Sequence, residues 1–88
     1  MANHPQAKKR NRQRILRQAR NRYQKSTMRS LIKKVRLAVS GKDFDQASEA
    51  LGSAVPLIDR CGSRGIIPKE RAARYVARLT TAVNALRS

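Results

Sequence analysis

Residues Lys8–Lys25 read KKRNRQRILRQARNRYQK, and Ser26–Ser40 continue as STMRSLIKKVRLAVS. The first stretch holds nine Lys or Arg in eighteen positions and no acid. On a helical projection those cations fall on every side of the cylinder and leave no sector apolar. A helix charged all round cannot pack against a hydrophobic partner, because some cation would always be buried unpaired. The second stretch is different. Met28, Leu31, Ile32, Val35, Ala38 and Val39 recur at spacings of three and four and make one apolar face, with Arg29, Lys33, Lys34 and Arg36 off it. No breaker interrupts the pattern before Ser40-Gly41. The spacing therefore predicts one helix from near Pro5 to Ala7 down to that link, about thirty-three residues and roughly 50 Å long. Its lower half packs. Its upper half, with only a thin line of Leu16, Ala19 and Tyr23 rotated away from the lower stripe, projects.

The short link Ser40-Gly41-Lys42 predicts an antiparallel neighbour. Asp43 reads as the N-cap of a second helix, with Gln46 completing a capping box. Phe44, Ala47, Leu51, Ala54, Val55, Ile58 and Cys61 form its apolar side. Pro56 removes one backbone donor, which predicts a bend near Gly52 to Val55 and not a break. Gly62-Ser63-Arg64-Gly65 ends this helix, either glycine being able to take the left-handed C-cap conformation. Pro68 reads as a first-turn residue of a third helix, with Glu70 at the positive end of its dipole. Ala72, Tyr75, Val76, Leu79, Val83 and Leu86 give that helix its packing face. No strand-like alternation and no internal repeat occur. The expected fold is all-α: an antiparallel three-helix bundle with a long basic N-terminal helix projecting beyond it. Within this single domain, residues 1–27 form a polar tail and the arm, and residues 28–88 form the body. Ile32, Val35, Leu51, Ile58 and Leu79 are the expected core.

Charge divides the chain in the same place. Of 88 residues, positions 1–42 hold fourteen Lys or Arg and no acid, while positions 43–88 hold seven against all five acids. The net charge of +16 is thus a basic arm on a near-neutral body. One cysteine, Cys61, excludes an internal disulfide and a thiolate zinc site, and reads as a small apolar residue on a helix. No apolar run approaches the roughly twenty residues of a transmembrane span. The N-terminus lacks the apolar core of a secretory signal, and its few scattered apolar residues make no amphipathic presequence face. A cytoplasmic protein is expected. Catalysis has no support: the single histidine, His4, sits in the polar tail, and the acids do not cluster with a base or nucleophile. Asp59 reads as an ion-pair partner of Arg60 or Arg64. There is no glycine-rich phosphate loop. No cofactor, metal, small-molecule substrate or membrane partner is expected, and the free chain is expected to be monomeric.

Between Lys8 and Arg29, like charges stand three or four residues apart at 8–12, 9–12, 10–14, 14–17, 17–20, 22–25 and 25–29. At about 0.2–0.5 kcal/mol each, these pairs oppose the helix by about 1.5–3.5 kcal/mol before screening. No Glu in the arm offsets them, so neutralisation from outside is expected, by a polyanion. The candidate contacts are Lys8, Lys9, Arg10, Arg12, Arg14, Arg17, Arg20, Arg22 and Lys25, continued by Arg29, Lys33, Lys34 and Arg36. Arginine's planar fork matches phosphate oxygens bidentately, and Asn11, Gln13, Gln18, Asn21 and Gln24 add donors for phosphates, riboses or base edges. Tyr23 either stacks on a base or covers the helix junction. With two Tyr and one Phe in the chain, stacking on single strands is not the main mode, and phosphate recognition of a structured nucleic acid fits better.

Two rival classes fit less well. A DNA-binding basic-helix factor needs a leucine heptad after its basic run, and none follows. A membrane-active cationic helix needs a wide apolar face, which residues 8–25 lack.

Specific residues also carry a resemblance. MAN and AKKRNRQ at the start, Asn21, Lys25-Ser26, Ile32 to Val35 (IKKV), Asp59-Arg60 and Gly65 to Leu79 (GIIPKERAARYVARL) closely resemble bacterial small-subunit ribosomal protein number twenty, almost end to end. The resemblance implies a three-helix bundle that binds small-subunit ribosomal RNA directly and early in assembly, low in the body of the particle. It implies a first helix threaded between RNA helices, with Lys8 to Arg14, Lys33-Lys34, and Lys69 with Arg74 and Arg78 facing RNA, and other small-subunit components nearby. The chain departs from that pattern at Pro68, where the family often has His, at Glu70, where Asn is common, and at Val76, where Lys is usual. These departures remove donors from the third helix and add an acid.

Overall fold

Helix α1 runs unbroken from Pro5 to Ser40, 36 residues, in a computed structural model that describes residues 5–87. Met1 to His4 and Ser88 lie outside the described residues, and the expectation for His4 with them. No glycine or proline interrupts positions 6–40, so nothing inside α1 removes a backbone bond or admits extra backbone freedom. Helix α2 spans Phe44–Ser63 and α3 spans Lys69–Ala85.

The α1–α2 link closes in a Schellman pattern. The Lys42 N–H donates to the Val39 carbonyl at 3.0 Å, and the Asp43 N–H to the Ala38 carbonyl at 3.0 Å. The left-handed residue is Lys42, at φ 55°, and not its neighbour Gly41. Asp43 caps α2, its carboxylate accepting from the Gln46 N–H at 3.1 Å. The reciprocal half of the expected capping box is missing, because the Asp43 N–H is already committed to Ala38.

Pro56 sits inside α2, which continues through it. The Gly52 carbonyl loses its helical donor there, and both residues lie on the solvent-exposed side of the helix. At the α2 C-terminus the Ile66 N–H donates to Cys61 at 2.9 Å and the Gly65 N–H to Gly62 at 3.2 Å, with Gly65 left-handed at φ 74°. Gly62 has a different task. A Cβ there would stand 2.7 Å from the Ala72 Cβ, so its missing side chain is what lets α3 approach α2. Pro68 is the N-cap of α3, at φ −59° and ψ 140°, and not a first-turn residue. Its carbonyl accepts the first helical bond, from Ala72 at 3.1 Å. The preceding Ile67 is buried in the core and, like residues before proline generally, is held out of helix, so α3 starts one residue later.

The core joins Met28, Ile32 and Val35 of α1, Ala47, Ala54, Ile58 and Cys61 of α2, Ile67, and Ala72, Leu79 and Val83 of α3. Leu51, expected inside, is half-buried on its margin. The line of α2 nearest its neighbours passes through Ala47, Ala54, Ile58 and Cys61, which leaves Leu51 on the shoulder. At the far end of the body the Arg87 guanidinium lies 5.6 Å from the centre of the Phe44 ring, a cation–π contact. α1 packs chiefly on α2 and only lightly on α3. The molecule measures 67 × 20 × 14 Å, its length set by α1.

Candidate nucleic-acid interface

Every residue from Gln6 to Arg20 is exposed. Asn21 and Gln24 are the first to be half-buried, and Met28 is the first to be buried. Tertiary contact therefore begins where the periodicity of the apolar residues begins. Ile15 and Leu16 are 55 % and 56 % exposed and Tyr23 is 72 % exposed. The thin apolar line covers nothing, and Tyr23 does not shield the helix junction. It presents its ring to solvent, with Thr27 Oγ1 donating to its carbonyl at 3.0 Å.

On the arm, Lys8, Lys9, Arg10, Arg12, Arg14, Arg17, Arg20 and Arg22 are all exposed, while Lys25 at its root is half-buried. Arg10, Asn11 and Arg14 line one shallow depression with Gln6 and Ala7, and Arg14 Nη2 donates to Asn11 Oδ1 at 3.1 Å. Gln13, Leu16, Arg17 and Arg20 line another. Among the described residues no Lys or Arg is paired with a carboxylate. The expected pairing of Asp59 does not form: adjacent helical residues such as Asp59 and Arg60 do not face one another, and Arg64 is five positions on, outside the three- and four-residue spacings that bring side chains together. The arm's charge is thus uncompensated from within.

Lower on α1, Arg29, Lys33, Lys34 and Arg36 are exposed. Lys34 and Leu31 line a groove against Gln46, Glu49, Ala50 and Ser53 of α2. On α3, Lys69 lines a depression with Asp59, Gly62, Ser63, Ala72 and Ala73, while Arg74 and Arg78 are exposed elsewhere on the helix. The sixteen basic positions therefore fall into an arm, the flanks of α1 and two separate parts of α3. Arg71, absent from the sequence-based set, is exposed as well. Its spacing of three to Arg74 and seven to Arg78 was the signal available. Glu70 and Pro68 are exposed, and Val76 packs half-buried against the core.

Nothing in the body offers reactive chemistry. Cys61 is a buried free thiol, and burial pushes it above its ordinary value, with Arg60 and Arg64 pulling the other way. A protonated, inaccessible thiol is inert. Among the described residues no three His, Cys, Asp or Glu gather as a metal site, and no helix is long and apolar enough to cross a membrane.

Comparison with known proteins bears on the same residues. The sequence model of the family described as Ribosomal protein S20 matches residues 2–84. Small ribosomal subunit protein bS20 of Geotalea daltonii is 50% identical over 86 residues, covering 98% of this chain and 99% of that protein. The protein of the same name from Syntrophotalea carbinolica is 49% identical over 84 residues, 96% of this chain and 97% of its own. That of Xylella fastidiosa is 46% identical over 88 residues, 100% of this chain and 99% of its own. With three helices in the expected order, an exposed basic arm and likeness along almost the whole chain, the chain belongs to the ribosomal protein S20 family.

Proposed function

We propose that this protein binds small-subunit ribosomal RNA directly and stabilises its fold during assembly, through phosphate contacts made by the basic first helix. It is a structural ribosomal component and not an enzyme, as its family is. The observation that carries the RNA reading is the arm: exposed from Gln6 to Arg20, cationic on all sides, and without a carboxylate partner among the described residues. Such a helix gains its neutralising charge from a polyanion that surrounds it, and RNA phosphates supply that charge at close spacing. Residues 1–27 act as the binding arm and residues 28–88 as the body that holds it in place. Lys8, Lys9, Arg10, Arg12, Arg14, Arg17, Arg20, Arg22 and Lys25 make the main contacts. Arg29, Lys33, Lys34 and Arg36 extend them along α1, and Lys69, Arg74 and Arg78 add contacts from α3. The protein works in the cytoplasm within the small subunit, beside other subunit components, and is monomeric when free.

The test is the salt dependence of binding to a transcript of the small-subunit ribosomal RNA. About eight arm cations on phosphates contribute roughly −6 to −7 to the slope of log K against log salt. Replacing Arg14, Arg17 and Arg20 together by Gln flattens the slope by about two to three units. An unchanged slope would show that the arm is not the phosphate-binding surface.

A further inference from the structure

The three helices carry very different charge. α1 has thirteen Lys or Arg and no acid, α3 has Lys69, Arg71, Arg74 and Arg78 against Glu70, and α2 with its two caps has Asp43, Asp45, Glu49 and Asp59 against Arg60 and Arg64. All of these side chains are exposed except Lys25. In a molecule this basic, the outer face of α2 is an acidic island.

Packing converts that difference into two sides of the body. Leu31 and Lys34 line the groove that α1 shares with α2. At about 100° per residue, Arg29 and Arg36 lie roughly 140–160° around α1 from that pair, on the flank away from α2. Lys69 and Ala73 line the depression that α3 shares with α2. Arg71 and Arg78 lie roughly 140–180° around α3 from those two, again on the flank away from α2. Arg74 lies about 100–140° from the same two, on the outer face, so Arg71, Arg74 and Arg78 form one exposed ridge at spacings of three and four, turned from the buried Ala72, Leu79 and Val83. Register places the ridge along the molecule. Gly62 meets Ala72 at one end of the α2–α3 pair and Phe44 meets Arg87 at the other. The α1–α2 link also lies at the Phe44 end, so Arg71 and Arg74 sit at the end from which the arm leaves. Asp43, Asp45 and Glu49 occupy the opposite end. The 71–74 and 74–78 pairs repeat, on α3, the like-charge spacing of the arm, with Glu70 four residues before Arg74 as the one acid on the helix.

We propose that the arm's RNA-binding surface continues onto the α1–α3 side of the body, along Arg29, Arg36, Arg71, Arg74 and Arg78. Arg71 is a phosphate contact of that surface, and the outer face of α2 is turned away from the RNA. This rests on the RNA reading of the arm and adds the orientation of the bundle. Phosphates along the α1–α3 side meet five arginines with Glu70 as the one acid close by, whereas phosphates laid on α2 would face Asp45, Glu49 and Asp59 and be repelled.

The experiment compares four variants of the full-length chain with the parent protein, each titrated with a transcript of the small-subunit ribosomal RNA across a salt series. They are R14Q/R17Q/R20Q on the arm, R71Q/R74Q/R78Q on α3, R71K/R74K/R78K on α3, and D45N/E49Q/D59N on α2. All the altered residues are exposed, and an unchanged thermal midpoint for each variant verifies the fold. The α3 glutamine variant should flatten the slope by about two to three units, and the lysine variant should retain it. The α2 variant should leave the slope within about half a unit of the parent. If the arm variant flattens the slope while the α3 glutamine variant does not, the orientation is wrong and the RNA reading of the arm stands. If the α2 variant steepens the slope by a unit or more, RNA approaches α2 and the orientation is likewise wrong. If neither the arm nor the α3 variant changes the slope, the RNA reading itself falls.

Discussion

The two halves of α1 share one backbone helix and both carry Lys and Arg without an acid, yet different forces hold them. From Met28 to Val39 the helix buries Met28, Ile32 and Val35 against α2 and α3, and its cations stay on the outside of that face. From Gln6 to Arg20 no side chain is buried. Isolated helices of such length are marginal in water because nucleation is costly, and the like-charge pairs weaken this one further. The comparison teaches that helical periodicity of apolar residues, and not helical propensity, marks where this chain is held by itself and where it waits for a partner.

Amide exchange breaks or sharpens that contrast most directly. In the free protein at low salt, amides of Arg12 to Arg22 should exchange with little protection while those of Ile32, Val35, Ile58 and Leu79 report global unfolding, a gap of orders of magnitude. With the RNA transcript added, the arm should become strongly protected and the body should change little. Strong protection of Arg12 to Arg22 without RNA would mean that the helix is sustained by something other than neutralisation.

Side-chain deletion separates the halves by a smaller margin. Leu79→Ala should cost about 2–5 kcal/mol, much of the stability of a domain this small. Leu16→Ala on the arm should leave the thermal midpoint unchanged, because Leu16 is more than half exposed. Equal effects at the two sites would overturn the division. Within the body, Gly62→Val should cost about 1–3 kcal/mol by forcing a side chain against Ala72, readable as a lower urea midpoint. The same substitution at Gly52, where a Cβ meets nothing within 4 Å, should not show that loss of packing.

The smallest expected effect has the opposite sign. Lys42 holds a left-handed conformation at the α1–α2 link, which is strained for a residue with a Cβ. Lys42→Gly should therefore stabilise the body by about 1 kcal/mol, without altering exchange in the arm. A loss of stability would show that the Lys42 side chain contributes more than its backbone conformation costs.

Much of this was legible in the residues. The unbroken run from Pro5 to Ser40, the two punctuated links and the i, i+3, i+4 faces determine three helices and their order, because backbone bonding and periodicity are local properties. The same is true of the arm: no apolar stripe means no packing, and uncompensated charge means an external counter-charge. Tertiary structure decided what depends on two segments meeting. It chose Gly65 over Gly62 for the left-handed turn, because Gly62 is needed where α3 crosses α2. It took the left-handed turn of the first link at Lys42 and drew the Asp43 N–H to Ala38, halving the capping box. It moved Leu51 to the margin and made Pro68 a cap once Ile67 was buried. Above all it decided which cations share a side, since Lys69 beside Asp59 and Arg71 beside Arg74 are near neighbours in sequence but are turned to different flanks of α3 by the packing of Ala72 and Leu79.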